Sequence, residues 1–277
     1  MEKMKKSVLL SVLLLLVWSG SVFAIVISPT SDADTLTNTL VIDPNITINS
    51  KTYSGGTGAS GTFTGGNTSG LTINQGILLT TGSAPAVANP PGSFASSGTG
   101  VGGSIISGST DETSLTIKFT PMVNPVVSFQ FVFGSEEYPE WVGSSFNDAF
   151  VFILNGNNIA LLPDSTVIAI NSVNQNTYLN TYFTYGAPGI VYDGLVGNNG
   201  PSYLLYATGP VVVGAENTLT IAIADRGDSI YDSGVFLKGL VNEPPPPPNG
   251  KTPEPATMLL LGSGLLGLWP LRKKIMK

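Results

Sequence analysis

The sequence predicts an all-β fold, a two-sheet antiparallel sandwich of jelly-roll type, with a flexible targeting segment at each end. In the central part of the chain, apolar residues recur at every second position in short runs. Gly, Asn, Ser and Thr separate these runs, and no stretch shows a helical period. Strands with this pattern bury one face each, and two sheets packed face to face bury both sets of apolar residues.

The first 24 residues are predicted to be a signal peptide. Lys3, Lys5 and Lys6 precede an apolar run at 8–18, and small residues follow up to Ala24. A basic start, a short apolar core and a small-residue site are the marks of an export signal, so we expect passage through the Sec translocon and cleavage after Ala24. The alternative, a retained transmembrane helix, needs about 20 apolar residues.

Residues 25–243 are predicted to form one β-sandwich domain. Its N-terminal part, 50–108, is rich in Gly and is expected to be mostly loop. The apolar run at 148–154 is nearly continuous, as in a strand covered on both faces, and Asn155-Gly156 is typical of a tight hairpin turn. The other predicted strands are 72–80, 115–119, 127–133, 158–162, 166–171, 202–208, 219–224 and 233–240.

The composition of this domain excludes several functions. It contains four basic residues and sixteen acidic ones, a formal charge of −12, so nucleic acid is an unsuitable partner. The chain has no Cys and no His, which excludes disulfides, zinc sites of the usual ligands and His-activated nucleophiles. A cation held by oxygen ligands is compatible with this composition.

The C-terminal end is predicted to leave the domain through a stiff spacer. Five consecutive prolines begin the spacer at 244–251, and they can continue neither a helix nor a sheet. The segment 252–277 follows, with Pro253-Glu254-Pro255, an apolar stretch at 256–271 and a basic cluster at 272–274.

This order of features resembles the PEP-CTERM sorting signal of Gram-negative bacteria. The resemblance implies recognition by an exosortase, a membrane transpeptidase that cuts near Pro253-Glu254-Pro255. It also implies that the apolar stretch sits in the inner membrane before processing, and that the protein then moves to the envelope, the cell surface or the extracellular matrix. A plain tail anchor is the alternative, but it does not need the Pro-Glu-Pro motif.

A second resemblance covers most of residues 35–242. The blocks FVFGSEEYPE at 131–140, FNDAF at 146–150, GILLTTG at 76–82 and YDSGVFL at 231–237 are similar to those of the choice-of-anchor L domain family. The resemblance implies an extracellular β domain that occurs with different C-terminal surface anchors. It implies no defined activity.

Two groups of acidic residues are candidate calcium ligands. Calcium takes six to eight oxygen ligands, and neighbouring carboxylates repel one another unless a cation or protons intervene. The alternative is that they are solvated loop acids, with Asp148 capping a turn and Arg226 pairing with an acid of the second group. The first group is Glu136, Glu137 and Asp148, and the second is Asp225, Asp228 and Asp232.

Four aromatic residues are candidates for stacking on sugar rings: Tyr138, Trp141, Phe146 and Tyr182. Carbohydrate sites combine apolar ring faces with polar edges, and Asn and Asp lie near these residues in the sequence. The alternative is that they anchor loops to the core.

These observations favour a non-enzymatic surface or matrix protein with an adhesive or structural role, associated with exopolysaccharide, biofilm material or other surface proteins. A carbohydrate-binding module for exopolysaccharide is the second interpretation. A glycoside hydrolase using Glu137 and Asp148 is the least favoured, because adjacent loop acids are a weak signature of that chemistry. We therefore expect no catalytic residues and, as cofactor, calcium alone.

Overall fold

The computed structural model describes residues 25–93, 97–99 and 101–246, and within them the chain forms thirteen strands and one α-helix. The predicted signal peptide with its cleavage at Ala24, most of the spacer and the sorting segment lie outside the described residues. The elements are β1 Val26–Pro29, α1 Ala33–Leu40, β2 Ile46–Ser54, β3 Ser60–Thr64, β4 Gly76–Thr80, β5 Thr110–Pro121, β6 Val126–Ser135, β7 Ala149–Leu154, β8 Asn157–Asn158, β9 Phe183–Tyr185, β10 Gly194–Val196, β11 Leu205–Pro210, β12 Asn217–Asp225 and β13 Ser233–Val241.

The strands form two antiparallel sheets, which confirms the predicted sandwich. The larger sheet has the order β1-β3-β4-β13-β6-β10-β9, and β11 pairs with the first half of β6. The smaller sheet has the order β2-β5-β12-β7-β8. Both β6 and β13 lie inside the larger sheet, with hydrogen-bonded neighbours on both sides.

Aromatic side chains fill the space between the sheets. Alternate residues of β6 point inward, and Phe131 and Phe133 meet Phe150 of β7 at centroid distances of 5.6 and 4.9 Å. Phe129 and Phe131 meet Phe152 at 5.0 and 5.1 Å. The period of two in the sequence predicted this face, because successive side chains of a strand point to opposite sides.

A second apolar layer covers the outer face of the larger sheet. Val132 and Phe236 point outward from β6 and β13, and Ile190, Val191 and Tyr192 pack on them. Strand β6 is therefore buried on both faces. Strand β7, which the sequence suggested as the doubly covered one, instead alternates between buried and half-buried residues, because its outer face is only partly covered.

The helix α1 was not predicted. The Asp32 side chain accepts hydrogen bonds from the backbone N–H groups of Asp34 and Thr35, which begins the helix, and Leu36 and Leu40 bury its inner face. Eight residues make only about two turns, so two buried leucines four positions apart are the whole periodic signal.

Several strand predictions also needed correction. The region 50–108, expected to be mostly loop, begins with the end of β2 and contains β3. The predicted strand 166–171 forms only single bridges at Val167 and Ala169, and 158–162 shortens to β8. The hairpin turn is confirmed, with φ values of +50° at Asn155 and +87° at Gly156.

The C-terminal end of the domain is held by Asn242, which directly follows β13. Its side-chain oxygen accepts hydrogen bonds from the backbone of Val123 and Asn124, and its side-chain nitrogen donates to the carbonyls of Asn124 and Val126. The chain is thus fixed to the sandwich immediately before the prolines. Among the described residues, no helix has the length and apolarity to cross a membrane.

Candidate functional site

One end of the sandwich collects acidic side chains from several strand ends. Glu136 and Glu137 follow β6, Asp148 precedes β7, Asp225 ends β12 and Asp232 precedes β13. Antiparallel pairing places the end of one strand beside the start of the next, so the two groups predicted from the sequence meet at one place. We call this region the acidic end, defined by these five residues together with Asp111 and Asp228.

Most of these carboxyl groups are buried, which contradicts their interpretation as solvated loop acids. Glu137, Asp148 and Asp225 are each 1% exposed, and Asp232 is 2% exposed. Glu136 and Asp111 are also buried, whereas Asp228 is half-buried. Burial of charged carboxylates is strongly unfavourable unless a cation, a proton or several hydrogen bonds compensate.

Asp148 has a hydrogen-bond donor at each of its carboxylate oxygens. Its Oδ1 accepts a hydrogen bond from the backbone N–H of Arg226 at 3.0 Å, and its Oδ2 accepts one from the Ser233 hydroxyl at 2.7 Å. Burial raises its pKa to about 7, and these two hydrogen bonds oppose the shift. Asp148 thus accepts a hydrogen bond from a backbone N–H group, as predicted for a residue that caps a turn.

Asp225 lies at the centre of the acidic end. Neither of its carboxylate oxygens has a hydrogen bond of good geometry in the described structure, and their weaker contacts are with the Thr81 hydroxyl and the Asp148 carboxyl group. Burial, together with the charges of Asp148, Asp232 and Asp111, raises its pKa to about 10, and the contact with the Thr81 hydroxyl opposes the shift. The carboxyl group is thus surrounded by like charges.

Glu137 extends the acidic end toward the loop after β6. Its backbone N–H donates to Ser135 Oγ at 2.9 Å, while its Oε2 has no hydrogen-bond partner among the described residues. Burial raises its pKa to about 8, and the charges of Asp148, Asp228 and Glu136 contribute to the shift.

Asp232 and Asp111 connect the acidic end to the segment 97–99. Asp232 accepts hydrogen bonds from the Ser97 backbone at 3.4 Å and the Ser97 hydroxyl at 3.3 Å, and Asp111 accepts one from the Thr99 hydroxyl at 3.1 Å. The Asp232 carboxylate lies so close to Gly82 that a Cβ there would approach it to 1.8 Å. Burial raises the pKa of Asp232 to about 6.

The described basic residues do not neutralise this charge. The two salt bridges in the described ranges join Lys51 to Asp34 and Lys118 to Glu216. Arg226 is exposed, and its contact with Asp148 is made by its backbone. Within the same ranges, no group of three or more acidic side chains is placed so that it could hold a metal ion.

Glu112, next to Asp111 on β5, was not predicted and has a different role. Its carboxylate accepts hydrogen bonds from the backbone of Ser104, Ile105 and Ile106 at 2.8–3.2 Å, and from the Ser104 hydroxyl. These bonds lower its pKa despite its burial. Glu112 fixes the loop whose residue Ile106 packs on Ala222 and Ala224 of β12.

The four predicted sugar-stacking residues occupy different environments. Tyr138 is fully buried and donates its hydroxyl to the Val173 carbonyl at 2.8 Å, so it has no ring face for a sugar and belongs to the core. Trp141 and Phe146 are half-buried and in contact, with centroids 5.1 Å apart. Tyr182 packs instead with Tyr203, at 5.6 Å.

Tyr182 also lines a groove in the described surface. The groove has a volume of about 570 Å³ and lies beside β8 and β11. Its walls are mostly apolar, with Leu162, Leu204 and Tyr206 among the contacts, and Asn158 and Ser202 add polar groups.

Comparisons with known proteins identify two parts of the chain. The family model described as Choice-of-anchor L domain matches residues 25–240, and the model described as PEP-CTERM protein-sorting motif matches 251–274. No curated protein matches the sequence. A solved structure of TmCBM27, a carbohydrate-binding module with specific mannan recognition, overlaps with 78% of this chain and 95% of its own, at 11% identity and a TM-score of 0.32.

Proposed function

Because the chain belongs to the choice-of-anchor L domain family, we propose that it is a non-enzymatic surface or matrix protein with an adhesive or structural role. The observation that carries the proposal is the order of the two matched parts. A domain match at 25–240 is followed within a few residues by a sorting motif at 251–274, which directs proteins to exosortase processing at the envelope. This order marks the β domain as the exported part.

The geometry of the domain supports display away from the membrane. The chain leaves the sandwich after β13, beside Asn242, whereas the acidic end lies at the opposite end of the same strand, next to Ser233. Nine strand residues span about 30 Å. The acidic end therefore lies far from Asn242, where the chain leaves the sandwich.

We also propose that calcium stabilises the folded domain. The support is the number of buried carboxyl groups at the acidic end and the lack of a described basic side chain paired with Glu137, Asp148, Asp225 or Asp232. The sequence offers no Cys or His, so oxygen ligands for a hard cation are the metal chemistry that it favours.

Cell fractionation tests the surface role. In the bacterium that produces the protein, Glu254→Ala should leave the chain in the membrane fraction, as should deletion of the exosortase. Glu243→Ala, an exposed acidic residue before the motif, is the matched control and should reach the surface normally. Deletion of the whole chain should weaken adhesion or the matrix, and unchanged adhesion and matrix mass would contradict the proposal.

Carbohydrate binding is the second candidate, favoured by the groove beside Tyr182. Its mostly apolar walls with a few polar groups suit a sugar chain. Affinity electrophoresis in gels containing exopolysaccharide should show retardation that Tyr182→Ala removes and Tyr185→Ala retains, since Tyr185 is exposed and does not line the groove. Equal mobility with and without polysaccharide would exclude this candidate.

The positions of Glu137 and Asp148 favour binding over glycoside hydrolysis. Each is 1% exposed, so a glycosidic bond could not lie between them without movement of the surrounding loops. Their burial instead links them to the stability of the acidic end.

A further inference from the structure

We infer that the end of the sandwich from which the chain leaves docks on the surface of the lipid bilayer before the sorting segment is processed. This inference rests on the proposed function, since membrane residence before processing follows from the sorting motif at 251–274. It assigns a partner to five side chains that belong neither to the acidic end nor to the walls of the groove.

Large apolar side chains are exposed on three turns at this end. The turns lie at 41–45 between α1 and β2, at 122–125 between β5 and β6, and at 211–216 between β11 and β12. Exposed turns normally carry Gly, Asn, Asp, Ser or Pro, and clustered exposed apolar side chains mark an interaction surface. We call the following residues, which are 40–62% exposed, the apolar tip: Ile42, Met122, Val123, Val212 and Val213.

Hydrogen bonds between the turns hold the apolar tip together as one surface. The backbone N–H of Met122 donates to the Asn45 carbonyl at 2.9 Å. The backbone N–H of Gly214 donates to the Pro121 carbonyl at 2.8 Å. The three turns are therefore neighbours, and their exposed side chains face the same partner.

The chain leaves the sandwich among these turns. The Asn242 side chain accepts hydrogen bonds from the backbone of Val123 and Asn124. The backbone N–H of Asn242 donates to Asp43 Oδ2 at 2.8 Å, in the turn that carries Ile42. The tether to the sorting segment therefore starts at the apolar tip itself.

The tether is short enough to hold the apolar tip near the membrane. The apolar stretch at 256–271 begins ten residues after Pro246, and ten residues span at most about 36 Å even when fully extended. Once that stretch is in the membrane, the apolar tip has a high effective concentration at the bilayer surface. A contact too weak to bind a free domain is then sufficient.

The charges around the apolar tip favour an uncharged bilayer interface as the partner. Lys118 forms a salt bridge with Glu216, and the exposed side chains of Lys238 and Glu243 carry opposite charges near the end of β13. Asp43 is buried. These charges largely cancel, so the protruding apolar side chains decide the contact. At a membrane such side chains enter about 5–10 Å into the boundary between headgroups and acyl chains.

A dye attached at single positions tests the docking. The chain has no Cys, so one introduced Cys carries one environment-sensitive dye. The full chain is purified in detergent from its producing bacterium and reconstituted at one copy per nanodisc of zwitterionic lipid. The dye on Val123→Cys should shift to the blue and be quenched by nitroxide lipids. The dye on Ile230→Cys, an exposed apolar position of the acidic end, is the matched control and should show neither effect.

Serine substitutions identify the side chains that make the contact. Met122→Ser combined with Val212→Ser should remove the shift and the quenching of the dye on Val123→Cys. Val167→Ser combined with Leu179→Ser changes two exposed apolar residues outside the apolar tip and should retain both effects. All four positions are exposed, so the variants are expected to fold, which circular dichroism checks.

Three results would overturn the inference. The first is equal behaviour of the two dye positions, and the second is persistence of the quenching in the Met122→Ser, Val212→Ser variant. The third is a blue shift that occurs only with two copies per nanodisc, which would assign the apolar tip to a contact between copies. The purified chain is read without exosortase or adhesion assays, so failure of the surface role and failure of docking are distinguishable.

Discussion

Ser233 Oγ donates a hydrogen bond to Asp148 Oδ2 at 2.7 Å, and the two residues belong to opposite sheets. Ser233 is the first residue of β13 in the larger sheet, and Asp148 directly precedes β7 in the smaller one. The bond is buried, so it fastens the sheets together at the acidic end and compensates part of the cost of burying Asp148.

Ser233→Ala should therefore destabilise the domain by about 1.5–3 kcal/mol, the range for hydrogen bonds to charged groups. Urea unfolding followed by tryptophan fluorescence would measure the change. Ser202→Ala, at an exposed position, is the control and should stay within about 0.5 kcal/mol of the native chain. If Ser233→Ala is as stable as Ser202→Ala, the hydrogen bond between Ser233 and Asp148 contributes nothing to the free energy of unfolding.

Glu112→Gln should cost about 2–4 kcal/mol at pH 7, since an amide nitrogen would replace one of the two oxygens that accept backbone N–H groups. The pKa of Glu112 is lowered in the folded state, so its stabilising effect is complete above its ordinary value of 4.5 and declines as the pH falls below it. The difference between variant and native chain should thus be smaller at pH 3 than at pH 7. A pH-independent difference would contradict the role of the charge.

The native chain in chelator should lose stability as the pH rises. Burial raises the pKa of Glu137 from 4.5 to about 8 and that of Asp148 from 3.8 to about 7, so between these limits the folded state binds more protons than the unfolded state. The contribution of these two groups to the free energy of unfolding is therefore greatest below about pH 4 and decreases up to about pH 8. Denaturant unfolding from pH 5 to 9 checks the slope, which Glu137→Gln should reduce. Stability that increases with pH over this range would refute the prediction.

Gly194→Ala should destabilise the domain by about 1–3 kcal/mol through overpacking. An added Cβ would lie 2.5 Å from Cδ2 of the buried Tyr138, on a ring held by its bond to Val173. Gly102→Ala is the matched control, because nothing lies within 4 Å of its Cβ position. A lower melting midpoint for Gly194→Ala than for Gly102→Ala would support a rigidly held Tyr138. Equal midpoints for the two variants would contradict it.

Local patterns predicted the sandwich, whereas long-range pairing determined the site. The alternation of Phe129, Phe131 and Phe133 identified the core face, and Asn155-Gly156 identified the hairpin, because both signals lie within a few residues. The acidic end could be predicted only in part. Asp111 was missed, since its place beside Asp225 depends on the pairing of β5 with β12, more than a hundred residues later.

The helix and the role of Tyr138 were missed for other reasons. Helix α1 has too few turns to show a period, and its start depends on Asp32 as a capping residue. Tyr138 follows two acids and precedes a proline, a composition typical of exposed loops. Its ring contacts Phe133, five residues earlier, and Phe183, which lies 45 residues later in the sequence and could not be placed beside it from local patterns.

The position of β13 has a mechanical consequence for a tethered protein. Tension on the C-terminal segment enters at Asn242 and runs along β13, whose hydrogen bonds to β4 and β6 lie across the direction of pull. Such an arrangement loads many hydrogen bonds in shear at the same time, whereas an edge strand would be peeled away one bond at a time. A pulling force from the tether therefore enters the middle of the larger sheet, at a strand that is hydrogen-bonded on both sides.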